Sequence, residues 1–309
     1  MTGLQPVALG KLVVIGVGLI GGSLALALRA AGAVREVVGV GRTRANLEQA
    51  AARGIVDRHW LLDDAWQREL GDADVVVYAT PVGELPALFA ASALHAGART
   101  VLTDAGSTKQ DVIAAASAAL GAAFPRFVPA HPIAGTEHTG AAAAFATLFA
   151  DRNVVLTPLA STDSRALQQV ESLWTTAGAR VRHLDPALHD SIFAAVSHLP
   201  HVLAFALVEE LAARPDAESF FAFAASGFRD FTRIAAGSPE MWRDIALANR
   251  EALLAEIATY RAQLDAIGAM IDARDAAALH AVFTRASDAR RSWGRARGTV
   301  VPADGPRDP

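Results

Sequence analysis

Cysteine is absent from the 309 residues. That excludes disulfides, thiolate-bound metals and a cysteine nucleophile, and it fits a reducing compartment. Positive charge is not in excess: 28 Lys and Arg stand against 32 Asp and Glu, a net charge of −4. Nothing here forms the basic footprint of a nucleic-acid binder. No apolar run reaches the roughly 18–20 residues of a membrane span without a charge or turn residue interrupting it. The opening "MTGLQPVALGK" has no basic region followed by a long apolar core, so no secretory signal is expected. A cytoplasmic protein with no nucleic-acid or membrane partner is the default. There is no internal repeat. What is abundant is apolar side chain, 52% of the chain, enough for a large core. At roughly 100–200 residues per domain, the length suits two domains.

The pattern of the first half is strand, then helix, repeated. "KLVVIGVG" (11–18) is a β-branched run ending in glycines, and "LIGGSLALALRAAG" (19–32) turns to helical spacing with Gly32 as its stop. "EVVGVGR" (36–42) reads as a strand and "TRANLEQAAARG" (43–54) as a helix, Thr43 at its N-cap and Gly54 at its end. "DADVVVYATP" (72–81) and "TVLTDAGS" (100–107) are further strands, each followed by a helix. "FVPAHP" (127–132), "NVVLTP" (153–158) and "ARVRHLD" (179–185) are strand candidates. Continuous apolar strands alternating with helices predict an α/β, Rossmann-type, doubly wound parallel sheet. From about residue 187 the periodicity is helical throughout. The expected organisation is a nucleotide-binding domain over 1–186, an all-helical domain over 187–295, and a disordered Gly/Pro/Asp-rich tail over 296–309.

"GVGLIG" (16–21) has the spacing G-x-G-x-x-G, a weak pattern alone. Here it follows a predicted strand and opens a predicted helix, the context of a dinucleotide site. Gly16 permits the tight turn, Gly18 a close backbone approach to a pyrophosphate, and Gly21 close helix–strand packing. Leu19 and Ile20 begin the helix whose N-terminus would face the phosphates. The bland alternative is a glycine-rich turn with no ligand. At the end of the second strand, where an NAD-specific site places an acid, stands Gly41, followed by Arg42, Thr43 and Arg44. With no carboxylate to repel a 2′-phosphate and two guanidiniums to bind it, NADP is expected and NAD as a weaker ligand. Alternatively the arginines are only a solvated helix start. Thr80 and Pro81 end the next strand and should flank the cofactor. Ser107 ends the following one, as a hydroxyl facing the nicotinamide and substrate, as the N-cap of the next helix, or as both.

Three polar clusters remain: "HPIAGTEHTG" (131–140), "SHLPH" (197–201) opening a helix, and "GFRDFTRIAAGSPEMWRD" (227–244), where Arg229, Asp230, Arg233 and Trp242 break an apolar region. A lone histidine is more often a hydrogen-bonded core residue. Together, on a chain with a dinucleotide loop, the clusters resemble a base and an anion clamp. In their order, "GVGLIGGS", "DAGSTK", "HPIAGTE", "SHLPH" and "GFRDFTRIA…PEMWRDI" resemble the prephenate and arogenate dehydrogenase family of tyrosine biosynthesis, over about residues 11–295.

The resemblance implies oxidative decarboxylation of prephenate, of arogenate, or of both, by a homodimer built through its helical half. It implies that His131 accepts the substrate hydroxyl proton and that Ser107 contacts that hydroxyl. Ser197 would support the histidine. Arg233 would bind a substrate carboxylate, with His201 near the substrate side chain. Thr136 and Glu137 would stand at the pocket wall and entrance, Trp242 would be a further substrate-binding residue, and Glu137 could pair with Arg229 or Asp230 as a gate. An imidazole base predicts a rate limb near its ordinary pKa of about 6–7. A 3-hydroxyacid dehydrogenase is a rival, but that class relies on a lysine and lacks the "HPIAGTE" and "SHLPH" pair. A non-catalytic NADP sensor would be expected to lack the base or the clamp, and both are present. No metal site is expected.

Overall fold

Short apolar runs rich in β-branched residues suit strands covered on both faces. The first such run is β1 (Leu9–Ile15), and α1 (Leu19–Ala30), β2 (Val34–Gly41) and α2 (Arg44–Ala52) follow. The computed structural model describes residues 8–136 and 138–296. After β3 (Arg58–Leu61) and β4 (Val75–Tyr78) come α3 (Leu85–Ser92), β5 (Val101–Asp104), α4 (Gln110–Ala119) and β6 (Phe127–Val128). The six strands form one parallel sheet in the order β3-β2-β1-β4-β5-β6. Alternation along β1 divides the core. Leu12 and Val14 face one layer, Val13 and Ile15 the other, as the two-residue strand period requires.

Two features differ from the expectation of a single parallel sheet. The strand β3, "RHWL", is absent from the sequence reading. It is a partly exposed edge strand, and its polar composition hides it from any search for apolar runs. The run "FVPAHP" is also not one strand. It divides at Pro129 into β6 on the main sheet and β7 (Ala130–Pro132) on a second sheet. Proline has no N–H to donate to a ladder, and the Pro129 carbonyl accepts from Thr157 N (3.1 Å) instead. β7 pairs antiparallel with β8 (Asn153–Leu156), and β8 pairs parallel with β9 (Arg180–His183) beyond α5 (Ser164–Thr176). The switch carries His131 off the main sheet, opposite Val155 of β8.

The first helix beyond the sheets starts at Pro186. Asp185 caps it, accepting from Ala187 N (2.9 Å) and Leu188 N (3.1 Å), with proline at the first helical position. It runs as α6 (Pro186–Phe193), a π-helical turn (Ala194–His198) and α7 (Leu199–Ala212). "SHLPH" therefore sits inside a continuous 27-residue helix and does not open one. The π turn precedes Pro200, which lacks the N–H that a regular helix would use there. This helix is also long and apolar enough, by length and composition alone, to cross a membrane, which the sequence reading passes over. Its interior positions His189, Asp190 and His198 are buried polar groups.

Three shorter helices follow: α8 (Ala217–Ala222), α9 (Ser226–Thr232) and α10 (Pro239–Ala248). All belong to one compact unit with the sheets, extending through Leu253 within α11 (Arg250–Asp272). From Leu254 a second unit comprises the rest of α11 and α12 (Ala276–Ala296). Their turn places Arg274 at φ 52, and the Asp275 carboxylate accepts from Ala278 N (2.9 Å). The tail expected to be disordered lies outside the described residues, apart from the final helical residue Ala296.

Candidate active site

The glycine loop connects β1 to α1. Gly16 has φ +99, and a Cβ there would collide with the Ala79 backbone. A Cβ at Gly21 would meet the Gly16 carbonyl and Val14 (2.7 Å), so helix and strand touch there. Gly18 has open space around it. Leu19 and Ile20 form the first turn of α1, which carries no acidic side chain, so the positive end of the helix is uncompensated. Thr80, next to this loop, has a buried hydroxyl with no hydrogen-bond partner among the described residues. Pro81 follows it in extended backbone.

A Cβ at Gly41 would lie 3.1 Å from Leu47, which leaves little room for a side chain where other sites keep an acid. Thr43 occupies the N-cap position of α2 without a side-chain cap bond. Arg42 and Arg44 are exposed, and Arg42 Nη1 lies 3.4 Å from Glu240 Oε1 of α10. Ser107 is not the N-cap of α4. That position is Lys109, because the helix starts three residues after the serine. Ser107 instead lies half-buried in the loop beyond β5.

That loop is tied to His131 by a buried ion pair. Asp104 accepts from Gly106 N (2.8 Å), Ala130 N (3.0 Å) and the Lys109 ammonium. Lys109 in turn donates to the Ala130 carbonyl (2.7 Å). Both charges are fully buried, and each is satisfied by the other and by backbone, the condition under which such a pair persists. The residue before His131 is thus clamped to the segment that carries Ser107.

The Nδ1 partner of His131 is His189 Nε2 at 2.9 Å. His189 Nδ1 lies 2.8 Å from Asp190 Oδ1. Asp190 also accepts from Lys109 N (2.8 Å) and Gln110 N (2.9 Å) at the start of α4. Phe193 lies against both rings, 4.7 Å from His131 and 4.5 Å from His189. Burial pushes His131 well below the ordinary imidazole value, and the neighbouring His189 adds to it. A rate limb governed by His131 therefore lies below the region of 6–7 that the sequence alone suggests. Burial lowers His189 too, against the opposing effect of Asp190. Burial works to raise Asp190, but the bonds from His189, Gln110 and Lys109 outweigh it and hold the carboxyl below its usual range.

The π turn aligns the next histidines. At about 100° per residue, His189 and His201 would stand about 120° apart on a regular helix. One extra residue absorbed in a π turn reduces this to about 20°. Between them His198 is buried, and Asn249 Nδ2 bridges its Nδ1 (3.1 Å) to the Asp190 carbonyl (2.8 Å). Its Nε2 has no partner among the described residues, and burial pushes its pKa down to about 4. His201 stacks on Trp242 at 3.5 Å and hydrogen-bonds the Ser197 carbonyl (2.8 Å). Burial lowers its pKa, that bond opposes the shift, and the nearby Arg233 lowers it further.

His131, His189, His198, His201, Trp242 and Arg233 thus form one connected cluster. The expected support of His131 by Ser197 is not what the structure forms: His189 takes that place, and Ser197 holds His201. Arg233 lines a cavity of about 450 Å³ with Phe221, Phe228, Arg229 and Thr232. Thr136 lines a different one of about 300 Å³, with Ile133, Phe145, Leu148 and Arg152. Glu137, and with it the expected gate, lies outside the described residues. Sequence reasoning missed Asp104, Lys109, His189, Asp190 and Asn249. The only signal was polarity out of place: an Asp and a Lys at a strand end, and "HD" within an apolar helix. Among the described residues no group of acids and histidines could hold a metal.

Comparison with known proteins bears on the fold and the family. Residues 24–183 match the nucleotide-binding domain of prephenate dehydrogenase, and residues 185–285 match its dimerization domain. Prephenate dehydrogenase of Bacillus subtilis is 33% identical over 294 residues, covering 93% of this chain and 77% of the relative. Cyclohexadienyl dehydrogenase of Zymomonas mobilis is 33% identical over 279 residues, covering 90% and 94%. Among solved structures, prephenate dehydrogenase from A. aeolicus in complex with hydroxyphenyl propionate and NAD+ superposes with a TM-score of 0.86 at 31% identity, over 93% of this chain and 99% of that one. Synechocystis arogenate dehydrogenase gives 0.75 at 31% identity, over 92% and 99%. A parallel sheet with a glycine loop at β1, a buried histidine cluster tied to the loop after β5, and matches to both family domains lead to one conclusion: the chain belongs to the prephenate dehydrogenase family.

Proposed function

We propose that the protein oxidises and decarboxylates prephenate to 4-hydroxyphenylpyruvate, with NADP+ preferred over NAD+. The observation that carries the reading is His131: a desolvated, neutral imidazole with Nδ1 occupied and Nε2 left for a substrate. The residues fit a dinucleotide. Gly16, Gly18, Leu19, Ile20 and Gly21 would receive the pyrophosphate at the start of α1. The orphan hydroxyl of Thr80 and the adjacent Pro81 would flank the ribose. Arg42 and Arg44, with Thr43, would take the 2′-phosphate, for which no competing acid stands at Gly41. Bound there, the nicotinamide supplies the hydride acceptor.

The chain's own part is to hold the substrate and move one proton. His131 Nε2 accepts the ring hydroxyl proton, and Ser107 holds that hydroxyl. Loss of the ring carboxylate as carbon dioxide completes the aromatic ring. Arg233 pairs with a substrate carboxylate, a planar fork for a planar anion. His201, fixed between Trp242 and the Ser197 carbonyl, contacts the side chain. The family resemblance assigns Thr136 and Glu137 to the rim. Arogenate is the second reading, favoured because relatives of equal identity bear prephenate and cyclohexadienyl dehydrogenase names. The helices are proposed to build a homodimer, consistent with exposed Leu188, Ile192 and Val196 on one helix and with the matched dimerization domain. A monomer by light scattering at micromolar concentration would count against it.

The decisive assay is incubation with prephenate and either NADP+ or NAD+, read by absorbance of the reduced nicotinamide. Rapid reduction with release of carbon dioxide is expected, faster with NADP+. No reduction with either cofactor would overturn the reading. The same assay with arogenate decides the second one.

A further inference from the structure

We infer that His189 and Asp190 are positioning residues that set the tautomer of His131 and so make its Nε2 the base. The inference rests on His131 having the role proposed above. The chain of contacts is His131 Nδ1 to His189 Nε2 (2.9 Å), then His189 Nδ1 to Asp190 Oδ1 (2.8 Å). All three side chains are buried.

Donor bookkeeping along this chain has one solution at neutral pH. Asp190 is an ionised acceptor, since two backbone N–H groups from α4 also point at it and an ionised carboxylate has no proton to donate. His189 must therefore carry its proton on Nδ1, which leaves a lone pair on Nε2. His131 Nδ1 faces that lone pair, so it must carry a proton. A neutral imidazole has one N–H, so His131 Nε2 is the unprotonated nitrogen. The tautomer that leaves Nε2 basic is thus chosen by a carboxylate two groups away.

The same chain serves the charged state. When the substrate hydroxyl proton moves to His131 Nε2, the Nδ1 proton stays in place. The new positive charge then lies in line with His189 and the Asp190 carboxylate. Lys109, although paired with Asp104, works against a charge on His131, and His198 is held neutral by burial. Asp190 is the carboxylate that the hydrogen-bond chain places behind His131 through His189, where a negative charge favours the protonated ring. Its own position is set by α4, the helix that follows the Ser107 loop, and by Asn249, which grips its carbonyl. Base and substrate-facing serine are in this way referred to one frame.

Three measurements test it. Nitrogen-15 spectra of the wild-type histidines at neutral pH should show His131, assigned by its loss in His131→Asn, as the Nδ1–H tautomer; an Nε2–H tautomer overturns the inference without any assay. In kinetics, Asp190→Asn can turn an amide N–H toward His189, invert both tautomers and protonate His131 Nε2. Its kcat should fall by about 10²–10⁴, as when the orienting acid of a catalytic triad is made neutral, while KM for prephenate and binding of NADP+ stay near wild type. His189→Leu should lose a similar factor, and His189→Gln, whose carbonyl can still accept from His131 Nδ1, should recover at least tenfold of it. Wild-type kcat in all three variants, or equal loss in the leucine and glutamine forms, overturns the inference. If wild type reduces NADP+ and only His131→Asn is impaired, the proposed function stands and the positioning role falls. If wild type does not turn over prephenate, the proposed function falls, and the spectra still decide the tautomer.

Discussion

The glycine loop and the histidine cluster lie in the same compact unit and are built on opposite principles. The loop is made by backbone from consecutive residues, Gly16 to Gly21, at one strand–helix junction. The cluster is made by side chains from positions 104, 109, 131, 189, 198, 201, 233 and 249, on two sheets and several helices. Damage to the loop is damage to local geometry. Damage to the cluster is damage to a chemical arrangement that no single segment contains. The two should therefore respond differently to substitution, and six experiments sharpen the contrast.

The largest effect belongs to the cluster. His131→Asn should lower kcat by about 10²–10⁴, the usual loss for a general base, with KM little changed because an amide can still bond the hydroxyl. Retention of most of the activity would make the histidine structural and turn attention to His201. The rate of the wild type should hold steady as pH falls through the ordinary imidazole value of 6.5, because His131 titrates well below it. A limb at that value would show that His131 is more solvated than the structure has it.

Next is folding stability against pH. His198 titrates at about 4 when folded, against an ordinary 6.5. Between those values the unfolded chain binds the proton and the native one does not, so stability rises with pH across the window. The contribution is complete above 6.5 and is lost as pH falls toward 4, by about 3 kcal/mol in full. His131 acts in the same direction. Urea unfolding at successive pH values should show the decline, and His198→Asn should flatten it. Stability that rises on acidification would contradict the burial of both rings.

The cofactor end gives smaller, more selective effects. Arg42→Ala and Arg44→Ala should each weaken NADP+ by about 1.5–3 kcal/mol, as for a lost charged hydrogen bond, and leave NAD+ almost unchanged. Equal losses for the two cofactors, measured by titration, would show that the arginines do not read the 2′-phosphate. Arg233→Ala should raise KM for prephenate more than it lowers kcat, since a carboxylate partner is present throughout the reaction; the reverse pattern would place Arg233 at the reacting centre. Gly21→Ala should cost about 1–3 kcal/mol of stability through overpacking, with Val14 only 2.7 Å from the new Cβ. An unchanged melting temperature would mean that α1 can shift away from β1 without penalty.

What was readable from the sequence follows the same division. Apolar alternation and glycine spacing are local signals, so β1, α1, β2, β4 and β5 were all legible, as was the glycine turn between β1 and α1. β3 was not, because an exposed edge strand carries little apolar signal. His131, Arg233, His201 and Trp242 stood out as polar residues in apolar surroundings, but their partners did not. Nothing local marked Lys109 and Asp104 as a pair until burial joined them, and of the two roles open to Ser107 the cap fell away because α4 begins three residues later.

By itself the sequence determined the α/β class, the glycine turn and the absence of an acid at Gly41, since each depends on what one short segment can or cannot adopt. Tertiary structure decided the break at Pro129 that moves His131 to a second sheet, and the π turn that rotates one end of a helix against the other. It also decided the meeting of His131 with His189 and Asp190, 58 positions on from His131 to its partner ring. The reason is physical: burial and hydrogen-bond partners belong to positions in space. A histidine's tautomer and pKa are set by what surrounds it after folding, and no local pattern of residues carries that information.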